Sequence, residues 1–192
     1  EVAGLDEAYL NLSSSPAPKA RAQEMKRRVR TETRLTCSVG IAPNKLLAKI
    51  ASDLEKPDGL CTLRAEQMLE RVGERSATLI PGVGPKTAER LGRIGVRTVA
   101  ELAAADLGTL RTALGPSLGA ALRDRANGID DRGLETERER KSESRETTFS
   151  ADVTDRAVLL ETVDELARSV CRGLASEGRR VVAAFLVPGS AV

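Results

Sequence analysis

The sequence contains no histidine and no tryptophan, and its 192 residues include one tyrosine, two phenylalanines and three cysteines. Without histidine, Ser-His-Asp and Cys-His catalysis and any histidine-ligated zinc or haem site are excluded. The cysteines, Cys37, Cys61 and Cys171, form no CxxC pair, which argues against a structural zinc site or a disulfide scaffold. Aromatic side chains usually supply much of the area that a core buries. Their scarcity therefore predicts several small modules instead of one large core.

The sequence also has no long apolar run and no leader segment, so we predict a cytoplasmic protein with no membrane partner. Its charge is almost balanced, with 30 Lys and Arg against 28 Asp and Glu and a net charge of +2. Any binding to nucleic acid must then come from the local placement of basic residues and not from bulk charge.

Residues 1–63 alternate between strand and helix signals. Apolar and polar residues alternate at Leu10 and Leu12, and Leu35–Ile41 and Leu60–Leu63 are short apolar runs, so these three stretches are predicted strands. A helix running to about Arg34 lies between the first two strands, and a second helix is capped by Asn44. The order strand, helix, strand, helix, strand predicts an α/β layer.

The remainder divides into a helical segment, a charged tether and a third module. Residues 64–133 show helical patterns broken by a tight hairpin at Ile80–Pro85, and residues 134–148 are rich in mixed charge. Residues 149–192 read as a long amphipathic helix at Asp155–Glu177 followed by an apolar β-run at Val181–Val187. We therefore predict domain boundaries near residues 63, 133 and 148.

Two adjacent acids, Asp6 and Glu7, lie at a predicted turn before the first strand. Carboxylates that project together from a rigid base suit hard divalent cations, and two such ions can align a triphosphate with an attacking hydroxyl. The alternative is an ordinary solvated acidic dipeptide, because turns attract acids for local hydrogen-bonding reasons.

The hairpin glycines are a second candidate site. Gly82-Val83-Gly84, with Lys86 in the first turn of the next helix, lets backbone N–H groups approach a DNA phosphate closely. This is the helix-hairpin-helix arrangement, which binds duplex DNA without reading its sequence. A GxG alone is more often only a tight turn.

Several longer motifs resemble the DinB (polymerase IV) branch of the Y-family DNA polymerases. The Gly4–Leu10, Cys37–Asp53 and Lys56–Gly59 segments resemble the palm of that family. The Ile80–Leu91 segment resembles its thumb, and Arg140–Phe149 is similar to the first strand of its little finger. The resemblance implies an α+β multi-domain fold with a partial α/β palm at 1–63, an all-helical thumb with a helix-hairpin-helix at 64–133 and a partial αβ little finger at 149–192.

This resemblance also implies roles for individual residues. Asp6 and Glu7 match the family's catalytic metal-binding carboxylates and would hold two Mg²⁺ ions. Lys56 matches the lysine that reaches the triphosphate of the incoming nucleotide, whereas an exposed loop lysine is the alternative. Lys45 and Lys49 lie one helical turn apart, and we interpret them as supporting the phosphate or template side, with ordinary solvated lysines as the alternative. Residues that would contact DNA are Gly82, Val83, Gly84, Lys86, Lys141, Ser142, Ser144 and Arg145. For the 141–145 segment, whose basic residues alternate with glutamates, a solvated linker is the alternative.

The implied function is low-fidelity, template-directed DNA synthesis in lesion bypass, with primer-template DNA and dNTP as partners and a monomeric state. A sliding clamp is a further suggested partner, although the usual C-terminal clamp-binding peptide would lie beyond Val192. In the family, a further metal-binding aspartate, the steric gate and the fingers precede the Asp-Glu turn. We therefore expect this chain to be a fragment or a truncated paralogue that does not catalyse alone.

Two other functions stay open at this point. The first is a non-catalytic DNA-binding accessory of DNA repair that keeps the thumb and a vestigial palm. The second is a helix-hairpin-helix scaffold whose α/β part has another activity, such as nucleotidyl cyclisation. The retention of both Asp6 and Glu7 argues against the accessory, and the long match through residue 53 together with the Lys56-Pro57 loop argues against the scaffold.

Overall fold

The computed structural model of the protein describes residues 1–136 and 142–179. The chain divides into two compact units, Glu1–Thr136 and Glu137–Val192. The first unit contains two strands and seven helices among its described residues, and the second contains one long helix in the part that is described.

In chain order the elements are α1 (Pro18–Thr33), β1 (Val39–Ile41), α2 (Lys45–Leu54), β2 (Leu60–Thr62), α3 (Met68–Val72), α4 (Pro85–Arg93), α5 (Val99–Ala104), α6 (Leu107–Leu114), α7 (Pro116–Ala126) and α8 (Arg156–Ser176). Short 3₁₀ turns at Ala65–Gln67 and Ala77–Leu79 flank α3. The sequence pattern did not separate α6 from its surroundings, although the Asp106 carboxylate caps its first turn by accepting from the Thr109 N–H.

Two parallel strands and the helices α1 and α2 make up the α/β part of the first unit. Val39, Gly40 and Ile41 of β1 pair with Leu60, Cys61 and Thr62 of β2. Helix α2 packs closely on β1, and a Cβ added to Gly40 would lie 2.0 Å from the Ala48 carbonyl oxygen. Only glycine therefore allows this approach, and α2, which carries Lys49, is held against the sheet.

The strands are fewer and shorter than the sequence predicts. The prediction of a strand at Leu10 and Leu12 is wrong, because the chain there is irregular and the Leu10 side chain is 59% exposed. The predicted strand Leu35–Ile41 is reduced to its last three residues, and Leu35 is 66% exposed. Apolar residues alone were not sufficient to form a strand where their side chains stay exposed.

One continuous core runs through the first unit. It joins α2 and β2 to the helical segment that follows, and its fully buried side chains include Leu46, Leu47, Ile50, Leu63, Met68, Ile80, Leu91, Leu102, Leu110 and Leu122. The predicted palm and thumb segments thus share one core. The boundaries at residues 63, 133 and 148 stay predictions.

The N-terminus of α2 is completed by the chain that follows α7. The Asn44 side chain accepts from the Leu47 N–H at 2.9 Å and donates to the Gly128 carbonyl at 2.9 Å. The nearly buried Asp130 carboxylate accepts from the Leu46 N–H at 3.0 Å and pairs with Arg132 at 2.6 Å. Two otherwise open N–H groups of α2 are satisfied in this way, one by a residue 84 positions away.

The described part of the second unit consists of α8 and the segment before it. Asp155 caps α8 by accepting from the Ala157 N–H at 2.8 Å, and the helix covers the predicted Asp155–Glu177 segment almost entirely. The predicted strand start at 145–149 is irregular. The predicted β-run at 181–187 lies outside the described residues. Within residues 1–136 and 142–179, no helix combines the length and the apolar character that crossing a bilayer requires.

Candidate active site and nucleic-acid interface

Asp6 and Glu7 lie in the turn of a short hairpin formed by residues 1–9. The Ala3 and Gly4 N–H groups donate to the Glu7 carbonyl at 2.9 and 3.2 Å, and an antiparallel bridge joins Val2 to Ala8. The turn predicted at this position is thus present. Both acidic residues are exposed, and Asp6 makes no side-chain hydrogen bond or ion pair with any described residue.

Glu7 is the first member of a chain of charges that leads to Lys56. The Lys49 ammonium of α2 donates to Glu7 Oε1 at 2.5 Å and lies 3.5 Å from Asp53 Oδ2. The other oxygen of Asp53 pairs with the Lys56 ammonium at 2.6 Å. The predicted metal-binding carboxylate and the predicted triphosphate lysine are therefore connected by two side chains of one helix.

These ion pairs raise the pKa of Lys49. Its hydrogen bond to Glu7 raises the pKa of Lys49, with further contributions from Asp53, so the ammonium stays charged. Lys45 is paired in a similar way, since its ammonium lies 2.8 Å from Glu1 Oε2. Both lysines thus direct their charge to carboxylates of the N-terminal hairpin.

The donor chemistry of the turn fits a hard divalent cation. Two adjacent exposed carboxylates offer oxygen ligands, and Asp6 has no competing partner among the described residues. In residues 1–136 and 142–179, however, no group of three or more His, Cys, Asp or Glu side chains is placed together for a metal ion. Asp6 and Glu7 therefore provide part of a ligand set, and Lys49 would share Glu7 with the ion.

The hairpin before α4 has the features of a type II turn. The Val83 N–H donates to the Ile80 carbonyl at 2.9 Å, Pro81 occupies the second position, and Gly82 has a φ of +102°. Ile80 and Val83 are buried and anchor the turn in the core. Val83 is only 6% exposed and its N–H is already bound to Ile80, so this residue offers little surface for contact with DNA.

The N-terminus of α4 faces open space. A Cβ added to Gly84 would meet no atom within 4 Å, and the backbone N–H groups of Gly84, Lys86 and Thr87 donate to no described residue. Lys86 is exposed and forms no ion pair in the described part of the chain. Free N–H groups, a helix N-terminus and an adjacent ammonium together suit a phosphate group.

Three of the predicted DNA contacts of the second unit are described, and Lys141 lies outside the described residues. Ser142 and Ser144 are exposed. The Arg145 guanidinium pairs with Glu143, whose carboxylate is nearly buried, and donates to the Ser144 carbonyl at 2.8 Å. Its charge is therefore partly matched within its own segment, and a phosphate contact would have to compete with Glu143.

Three residues that contribute to these sites were not predicted from the sequence. Asp53 links Lys49 to Lys56, Arg125 of α7 donates to the Pro81 carbonyl at 2.8 Å, and Asp130 caps α2. The i, i+3 and i, i+4 spacings among Lys49, Asp53 and Lys56 were a usable signal. Nothing local indicated the other two contacts, which join residues 44 and 84 positions apart.

Known families match the chain in three successive segments. The impB/mucB/samB family matches residues 1–53, a thumb domain described for DNA polymerase iota matches residues 78–130, and the C-terminal domain of the impB/mucB/samB family matches residues 140–186.

Curated relatives and solved structures agree with these matches. DNA polymerase IV of Methanoculleus marisnigri is 45% identical over 183 residues, which cover 94% of this chain and 51% of that protein. DNA polymerase IV of Pseudomonas paraeruginosa is 46% identical over 84% of this chain and 47% of its own length. A Y-family DNA polymerase chimera matches with a TM-score of 0.79 and 28% identity, over 90% of this chain and 51% of its own. DinB from Sulfolobus solfataricus matches with a TM-score of 0.61 and 26% identity, over 89% of this chain and 51% of its own.

The chain therefore belongs to the Y-family DNA polymerases. Its curated relatives are DNA polymerases IV, which confirms the predicted DinB branch, and they do not favour the alternative of a non-catalytic accessory. The chain spans about half the length of the curated relatives it matches.

Proposed function

We propose that this chain supplies metal-binding carboxylates, a nucleotide-binding lysine and a DNA-binding hairpin to a DNA polymerase IV that copies damaged templates. The observation that carries the proposal is the exposed Asp6-Glu7 turn, joined through Lys49 and Asp53 to Lys56. Its curated relatives, named DNA polymerase IV, support the same activity.

In this proposal the reaction is nucleotidyl transfer. The primer 3′-hydroxyl oxygen forms a bond to the α-phosphorus of the dNTP and its proton passes to water, while the bond from the α-phosphorus to the bridging oxygen of the β-phosphate breaks and pyrophosphate leaves. Asp6 and Glu7 would hold two Mg²⁺ ions, which neutralise the triphosphate and favour ionisation of the attacking hydroxyl when bound. Lys56 would exchange its pairing with Asp53 for the triphosphate, where a compact ammonium is an effective point charge.

The DNA interface is proposed to lie on the hairpin and on the segment before α8. Gly82, Gly84 and Lys86 would bind one phosphate group through backbone N–H groups and an ammonium, with Val83 as the buried anchor of the turn. Ser142, Ser144 and Arg145 would add contacts to a second stretch of backbone. The DNA contact of Lys141 remains a prediction, because Lys141 lies outside the described residues. The domain boundaries, the monomeric state, the sliding-clamp contact and the cytoplasmic location also remain predictions.

The activity is tested in a chimera in which residues 1–192 replace the matching segment of the Methanoculleus marisnigri DNA polymerase IV. We expect Mg²⁺-dependent extension of a primer on its template, measured on denaturing gels. Asp6→Asn and Glu7→Gln should each abolish extension, because either change removes a charged ligand. Glu70→Gln, which changes an exposed acid of α3, is the control and should leave extension intact. Extension that survives Asp6→Asn would contradict the proposal.

A further inference from the structure

An arginine of α7 stabilises the hairpin of the proposed DNA interface through a hydrogen bond to the hairpin backbone. Arg125 reaches from α7 and its Nη1 donates to the Pro81 carbonyl at 2.8 Å, across 44 positions of sequence. Arg125 forms no ion pair within the described part of the chain. A Cβ added to Gly82 would lie 2.6 Å from the same Nη1 and 3.4 Å from Leu122 Cδ2. The guanidinium thus occupies the space that the missing side chain of Gly82 leaves free.

This hydrogen bond fixes the orientation of the Pro81–Gly82 peptide. Type I and type II turns differ by a flip of that central peptide, and the positive φ of Gly82 belongs to type II. In a planar trans peptide the carbonyl and the N–H point in opposite directions. When Arg125 holds the Pro81 oxygen, the Gly82 N–H therefore points away from Arg125. This N–H donates to no described residue.

We propose that Arg125 is a positioning residue that locks the type II turn and aims the Gly82 N–H at a DNA phosphate. The inference rests on the proposed DNA-binding function of the hairpin and adds a residue to it. Arg125 acts through the Pro81 carbonyl and does not touch the phosphate, because the two groups lie on opposite sides of the peptide.

The test measures duplex binding by residues 1–192 with a fluorescently labelled oligonucleotide duplex, by anisotropy over a range of salt concentrations. Arg125→Gln should lower the affinity about fivefold, the loss of one hydrogen bond, and leave the slope of log K against log salt unchanged. Lys86→Gln removes a phosphate contact and should reduce that slope by about one. Arg64→Gln, an exposed arginine paired with Glu66, is the matched control and should change neither quantity.

The outcomes separate the inference from the function on which it rests. If Lys86→Gln weakens binding and Arg125→Gln does not, the positioning role is wrong and the hairpin interface stands. If Arg125→Gln reduces the slope by about one, Arg125 contacts phosphate directly and the inference is overturned. If neither Lys86→Gln nor Gly84→Ala affects binding, the hairpin interface itself fails, and the role of Arg125 fails with it.

A double-mutant cycle tests whether Gly82 and Arg125 act through the contact between them. Gly82→Ala places a methyl group against the guanidinium and also strains the positive φ of residue 82, so it should disturb both the turn and the Arg125 contact. Arg125→Ala should therefore cost less affinity in that background than in the wild type. Two independent effects that multiply would contradict the contact. Circular dichroism melting of each variant shows that the fold is retained, and Arg125→Lys, which can still donate to Pro81, should recover part of the affinity.

Discussion

Asp53 stands between two lysines with different proposed tasks, and this position makes its effect on nucleotide binding predictable. In the chimera, Lys56→Gln should raise the KM for dNTP, because it removes a cation from the proposed triphosphate site. Asp53→Asn should lower the KM, by at most about fivefold, because it frees Lys56 from an exposed ion pair of modest strength. Steady-state kinetics measure both, and Lys19→Gln on α1 is the control. A rise in KM for both variants would contradict the pairing of Asp53 with Lys56.

Asp130 gives a pH-dependent prediction at the same scale. The hydrogen bond from Arg132 holds the pKa of Asp130 below its ordinary value, and the Leu46 N–H adds to the effect. The stability that the ionised carboxylate contributes is therefore present above the ordinary pKa of 3.8 and is lost as the pH falls through the lower folded-state value.

Asp130→Asn should then lower the free energy of unfolding by about 1–3 kcal/mol at neutral pH. The difference from the wild type should shrink at pH values below 3.8. Urea denaturation followed by circular dichroism measures the effect, and Asp131→Asn, which changes an exposed neighbour, should leave stability nearly unchanged. An equal difference at neutral and acidic pH would show that the charge of Asp130 is not involved.

At the scale of elements, a substitution at the start of α4 should change duplex binding without changing the stability of the fold. Gly84→Ala adds a methyl group that meets no atom of the protein, so the free energy of unfolding should change by less than about 1 kcal/mol. If a phosphate approaches Gly84 closely, the same methyl group should weaken duplex binding about fivefold, the equivalent of one lost hydrogen bond. Anisotropy and thermal melting measure the two effects. Gly92→Ala, also in open space on α4, should leave binding unchanged.

The elements that were predicted correctly are those with local signals. Asn44 caps α2 as predicted, and the amphipathic pattern of residues 155–177 identified α8. The strand errors at Leu10 and Leu35 have a common cause, since a strand needs a partner and a covering layer that its own sequence does not specify. Arg125 and Asp130 were missed for the same reason, because each acts on backbone far away in the chain.

At the scale of the whole first unit, the continuous core predicts that its α/β and helical segments unfold together. Leu47 lies in α2 and Leu122 in α7, and both are fully buried in the same cluster. Leu47→Ala and Leu122→Ala should each destabilise the fold by about 2–5 kcal/mol through lost burial and a residual cavity. Because one core joins the two segments, both variants should shift the same unfolding transition, as measured by urea denaturation with circular dichroism. Separate transitions for the two variants would show that the segments unfold independently.

The N-terminus of α2 is completed by residues that follow α7, so it cannot reach its final structure until those residues have been synthesised. Ribosomes add residues from the N-terminus, and Asp130 is made 84 residues after Leu46. At about 5–20 residues per second, the nascent helix waits about 4–17 s before the carboxylate that satisfies its Leu46 N–H has been made. Helix α2, which carries the lysine bound to Glu7, therefore acquires its final N-terminal contacts only when translation has passed the whole helical segment. The segment that carries Asp6 and Glu7 is therefore made before the residues that complete α2.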